Sequence, residues 1–194
     1  MAKKQHSFGF QALNQARTAS HALGFITSYL GLIADDSEKN IPTYSYGHLF
    51  GMVRKAMREM AIINAATVLD KQPTSTGMLE LIAQVRATRP EIKEFCNDLE
   101  KRLEAHRETF KKAVIYRSNI IAHRSKQLKA SEVYEKANLE MTDLLKSIEA
   151  WFNVAQKLSL KLHGQGFWII YDLENDAKQL LYDLSIGQAF LKNE

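Results

Sequence analysis

The stretch PEIKEFCNDLEKRLEAHRETFKKAVIYR, Pro90 to Arg117, decides how this chain is read. Ile92, Phe95, Leu99, Leu103, His106, Phe110 and Ala113 follow one another at steps of three and four, the spacing of one face of an α-helix. Thr88-Arg89-Pro90-Glu91, just ahead, has the form of a capping box with proline in the first turn, so a helix is expected to start there. Carried forward, the same steps land on Arg117 and Ile120. A guanidinium is thus placed on a packing stripe, where burial without an acceptor is expensive.

The same periodicity runs along most of the chain. Ser7 to Ala34 reads as a first helix, with Phe10, Leu13, Ala16, Leu23, Ile26, Leu30 and Ile33 inward. Asp35 to Pro42 reads as a loop. Thr43 to Lys71 reads as a second helix with Phe50, Val53, Met57, Met60, Ile63 and Val68 toward the core and Arg54, Lys55 and Arg58 on its polar side. A short helix follows from about Ser75 to Ala87, with Met78, Leu81, Ile82 and Val85 on its apolar side. Beyond the opening stretch, Ser131 starts a strongly amphipathic helix through Val133, Ala137, Met141, Leu144, Ile148, Trp151, Ala155, Leu158 and Leu162, stopped at Gly164-Gln165-Gly166. Its seam matches that of the opening helix, and the two are expected to pack as an antiparallel hairpin. The run from Phe167 to Tyr171 is open between extended and helical, and a last helix is expected through Leu180, Leu181, Leu184 and Phe190. The expectation is an all-α bundle of long antiparallel helices in one domain over 1–194, with a core at about 8–162 and a C-terminal extension at about 172–192.

Composition agrees. Three prolines and nine glycines in 194 residues are few for a fold that turns every strand. The net charge of +4 is mild, with no basic tail. Locally it is less even: between Lys101 and Lys129 nine basic residues face only Glu104 and Glu108, a surplus of seven. The single cysteine, Cys96, cannot form an internal disulfide and reads as a core thiol. No segment approaches the roughly 20 apolar residues of a membrane span, and no leader is visible, so a cytoplasmic protein without a membrane partner is expected.

No phosphate loop, His-Glu-x-x-His, nucleophile elbow or Cys/His cluster occurs, and no metal or other cofactor is implied. His106 lies on the seam and reads as a satisfied core or interface histidine; His21, His48 and His163 read as structural. Arg117 and His123 stand apart. Five residues separate them, which along a helix means about 9 Å of rise and roughly 120° of rotation. One chain does not hold both tightly against one atom, whereas two chains about a two-fold axis can. Another reading stays open: Arg117 bridging an acidic residue of the next helix, with His123 capping the helix C-terminus.

The string Tyr116-Arg117-Ser118-Asn119-Ile120-Ile121-Ala122-His123-Arg124, late in a long helix, resembles the arginine–x(four to six)–histidine motif of the HEPN superfamily. From Phe8 to Leu162 the chain is similar to the abortive-infection, AbiU-type members. The resemblance implies a helical-bundle homodimer with two motifs facing across the interface, and RNA as substrate. It implies metal-independent ribonuclease chemistry, often in a toxin or antiphage effector controlled by an antitoxin. His123 would act as general base or acid and Arg117 would hold the phosphate, with Tyr116, Ser118, Asn119, Arg124 and Lys126 as phosphate- or RNA-binding neighbours. Two positions depart from the pattern: Ser118, where Asn, Asp or His is common, and Ser125, where some relatives carry an acid. Non-catalytic HEPN modules that bind RNA, nucleotide or a partner protein are the competing expectation.

Overall fold

The computed structural model describes residues 2–34, 43–72, 75–118 and 137–166, with side chains at 8–33, 48–49, 51–70, 76–118 and 137–166. These residues form an all-α bundle: α1 (Ala2–Ala34), α2 (Thr43–Ala66), α3 (Met78–Thr88), α4 (Lys93–Glu104), α5 (Arg107–Tyr116) and α6 (Met141–His163). The expected elements at 35–42, 119–136 and 167–194 lie outside the described residues.

α6 is the hub. It packs along most of its length on α1. Trp151 donates to Gln15 at 3.1 Å, and Gly9 lies against His163, so the two helices run antiparallel. The seam expected on α6 is the one observed: Leu144, Ile148, Trp151, Ala155 and Leu158 are buried, and Gly164 ends the helix in a left-handed conformation (φ 72°). α1 keeps Ala16, Leu23 and Ile26 of its expected stripe and replaces the rest. Ala12, Ala16, Ala19 and Ala22 are fully buried, with Phe8, Leu23 and Ile26, while Phe10 faces solvent. Small residues here let the two backbones approach and admit the bulky side chains of α6.

The opening stretch packs antiparallel on the other side of α6, as its matching seam implied. Lys161 lies over the Phe95 ring, His106 is bonded to Ser147, and Lys112 donates to the Asn138 carbonyl at 2.9 Å. Ile92, Leu99, Leu103, Phe110 and Ala113 are buried. Both helices are shorter than their patterns. The first breaks at Ala105–His106, and α6 begins at Met141 because Asn138 turns the chain at φ 39°.

Two local expectations need correction. The capping box does not form: Thr88 is the last residue of α3, its hydroxyl donates back to Gln84 O at 2.8 Å, and Glu91 pairs with Arg89. Pro90 alone marks the start, in a 3-10 turn, Pro90–Ile92. The second helix stops at Ala66, passes through a 3-10 turn (Thr67–Leu69) and enters a hairpin absent from the sequence reading. There β1 (Lys71–Gln72) pairs antiparallel with β2 (Ser75–Thr76), Lys71 opposite Thr76 and Gln72 opposite Ser75.

Candidate functional site

Arg117 lies where α5 ends. Phe110, Ala113 and Tyr116 fill the core beneath it, and the helix widens into a π turn at residues 117–118. Its amide N–H is shared between the carbonyls of Ala113 and Val114. The side chain crosses to Asp70, 47 residues upstream: Nη2 donates to Oδ1 at 3.1 Å and Nη1 to Oδ2 at 3.3 Å. The side chains are 26% and 20% exposed, so the pair sits at the rim of the core, half shielded from water. A two-bond fork between guanidinium and carboxylate is strong and fixes the plane of both groups.

Asp70 is itself held tightly. It follows the 3-10 turn, donates its amide to Thr67 O at 3.0 Å and accepts from Gly77 N–H at 2.9 Å. A Cβ on Gly77 would stand 2.5 Å from Val68 O and 2.6 Å from Asp70 O, so only glycine permits this approach. The hairpin returning to Gly77 is tied to the bundle by Gln15, whose Nε2 donates to Thr76 O at 2.8 Å while its Oε1 accepts from Trp151. The carboxylate facing Arg117 is therefore placed by α1, α6 and the hairpin together.

The fork uses the end of the guanidinium, one N–H from each terminal nitrogen. Nε–H lies on the side edge, and among the described residues no bond to it is found. An arginine has five N–H donors. The side edge can take a second oxyanion while Asp70 keeps the first.

The expected neighbours separate. Tyr116 is buried in the core cluster, behind the site and away from its surface. Ser118 is half-buried beside Arg117. Asn119, His123, Arg124 and Lys126 lie outside the described residues. His106 is satisfied, as read: Ser147 Oγ donates to Asp143 O at 2.8 Å, so it accepts from His106 Nδ1–H across 3.1 Å. Two of the seven surplus charges, Arg102 and Arg117, meet acids from outside the stretch, and two further basic residues pair with the acids inside it. Arg102 pairs with Asp98, Arg107 with Glu104 and Lys111 with Glu108, besides Arg117 with Asp70. The Lys111 hydrogen bond holds the Glu108 carboxyl below its ordinary value. Asp98 precedes Lys101 and Asp70 lies far upstream, so a window count misses both.

Asp70 is the residue that the sequence reading left within the end of the second helix. The structure puts it just past the 3-10 turn that follows α2, where it meets Arg117.

With the bundle and an arginine at the end of α5 in place, comparison with known families is informative. The model of the HEPN family described as AbiU2 matches residues 14–180. The chain belongs to this family. No curated protein and no solved structure matches it. The AbiU2 match extends through α1 to α6, and it includes both Asp70 and Arg117. Among the described residues, no helix of this HEPN protein is long and apolar enough to cross a membrane.

Proposed function

We propose that this AbiU2-type HEPN protein is a metal-independent endoribonuclease acting in abortive infection, with Arg117 and His123 of two chains forming one composite site. The observation that carries the reading is the fork that fixes the end of Arg117 on Asp70, with no bond to its Nε–H among the described residues. In this mechanism the side edge of Arg117 binds the non-bridging oxygens and offsets the charge that builds on them. His123 removes the proton of the ribose 2′-hydroxyl, a task suited to a base that titrates near neutrality. The 2′-oxygen bonds to phosphorus, and the bond to the 5′-oxygen breaks as that oxygen takes a proton, which the partner's motif supplies. The products are a 2′,3′-cyclic phosphate and a 5′-hydroxyl. Asp70 serves as a positioning residue, acting through Arg117.

Purified protein is expected to cleave RNA in EDTA and leave cyclic-phosphate ends, with Arg117→Ala and His123→Ala folded but inactive. Intact RNA across varied substrates, from a folded wild-type sample, overturns the proposal. The Asp70 fork also favours a second reading, in which Arg117 is a structural bridge and the protein a non-catalytic module binding RNA, nucleotide or a partner protein. That reading expects salt-dependent RNA binding with no cleavage.

A further inference from the structure

The peptide unit between Thr76 and Gly77 is hydrogen-bonded at both ends. Its carbonyl accepts from Gln15 Nε2 at 2.8 Å, and its N–H donates to Asp70 O at 2.9 Å. Gln15 in turn accepts on Oε1 from the Trp151 indole N–H at 3.1 Å. Indole, side-chain amide, peptide and the Asp70 carbonyl thus stand in series, and every donor points toward Asp70. The end groups fix this direction: an indole N–H only donates and a backbone carbonyl only accepts, so the Gln15 amide fits one way round. Trp151 is fully buried, which anchors the start of the series in the core. A peptide unit is planar and stiff, and bonds in series polarise one another. Turning the Thr76–Gly77 plane therefore breaks both of its bonds together.

We infer that Gln15 is a positioning residue for the Arg117 site, acting through the Thr76–Gly77 peptide and Asp70. The hairpin supplies little stiffness of its own. It pairs only Lys71 with Thr76 and Gln72 with Ser75, and a short two-stranded hairpin is marginal in water. On the α2 side Asp70 is held by its own amide on Thr67 O; on the other side it is held by this peptide. Gln15 fixes the peptide from α1, and Trp151 fixes Gln15 from α6. Asp70 then passes the constraint to the guanidinium through the two-bond fork. Misplacing a catalytic group by about an ångström costs up to roughly 100-fold in rate. An amide that never meets RNA thereby sets the rate of the chemical step without contributing to binding. The catalytic part of this inference rests on the ribonuclease reading above; the geometric part is tested without RNA.

The test compares two variants of the full chain. Gln15→Met keeps the length of the side chain and removes both bonds; Gln15→Glu still accepts from the indole but does not donate to Thr76 O. Nitrogen–proton NMR reads the Arg117 Nε–H signal, assigned by its loss in Arg117→Lys. In both Gln15 variants the signal is expected to shift toward the position it takes in Asp70→Asn. An unmoved signal in a folded variant overturns the inference, whether or not RNA is cleaved. In single-turnover cleavage both variants are expected to slow roughly 10-fold, with RNA affinity unchanged within about two-fold. Gln15→Met combined with Asp70→Asn is expected to be no slower than Asp70→Asn alone, because the two act along one series. Full multiplication of the two effects, or a rate that only follows the folded fraction seen by circular dichroism, overturns the inference. Trp151→Phe keeps a ring in the core and removes only the first donor. It is expected to move the Arg117 signal the same way by a smaller amount, and it carries the test if the Gln15 variants do not fold; no shift overturns the inference. A wild type that cleaves no RNA while the signal moves as stated supports the role of Gln15 and removes only the catalytic reading.

Discussion

Arg117 and Asp70 share two hydrogen bonds at the edge of the core, and Gly77 sets the backbone that carries the acid. Charge-assisted bonds of this kind are worth about 1.5–3 kcal/mol each in favourable settings and less where water reaches them. Asp70→Asn is therefore expected to lower the melting temperature by only a few degrees, while slowing single-turnover RNA cleavage roughly 10- to 100-fold through loss of orientation. A rate that falls only in step with the folded fraction makes Asp70 a structural bridge. Gly77→Ala is expected to cost about 1–3 kcal/mol from overpacking against Val68 O and Asp70 O, read by chemical denaturation. Cys96 offers a pH test. Burial pushes its thiol above its ordinary value, outweighing the opposing effect of Arg86. The folded state thus holds the proton more tightly than the unfolded one. This contribution to stability is full below the unfolded pKa of about 8.5 and is lost as pH rises through the raised folded value. A thiol reagent at pH 8 is expected to label Cys96 only after denaturant is added.

At the scale of elements, ends carry more information than middles. α5 finishes in a π turn, a common place for a functional side chain, and Arg117 leaves the core stripe there to reach the hairpin. The break between residues 137 and 141 depends on one residue: Asn138 at φ 39° with its carbonyl accepting from Lys112. Asn138→Gly is expected to be nearly neutral and Asn138→Val to cost about 1–2 kcal/mol, measured by thermal melting, because a branched Cβ is strained in the left-handed region. Thr88 and Glu91 illustrate the opposite case, a good motif that local competition defeats: the threonine hydroxyl finds a carbonyl of its own helix, and Arg89 takes the glutamate. The positions inward along α4, α5 and α6 were legible because apolar spacing is a property of the segment itself. The direction of α2 was not, since its apolar residues are numerous on both faces and only the packing partner selects one.

For the whole molecule, the bond from Trp151 through Gln15 to Thr76 joins α6, α1 and the hairpin in one line. Gln15→Ala leaves an indole N–H and a carbonyl in a part-buried setting without this partner. It is expected to cost about 1–3 kcal/mol in denaturation and to loosen the hairpin that presents Asp70. An effect on stability with no change in RNA cleavage would separate this brace from the site. Membership of the AbiU2 HEPN family fits a bundle in which α6 is clasped between α1 on one side and α4 and α5 on the other.

By itself the sequence determined the helical class, the α6 seam and the stop at Gly164, all consequences of patterns within one segment. It also carried the arginine–histidine motif by which the family is recognised. Only the tertiary structure decided that Arg117 meets Asp70, that Arg102 meets Asp98, that Tyr116 lies in the core and that Leu49, Met52 and Met60 of α2 face outward. These depend on which segments come together across tens of residues. Periodicity records which face of a helix is apolar, but it does not record what will stand opposite.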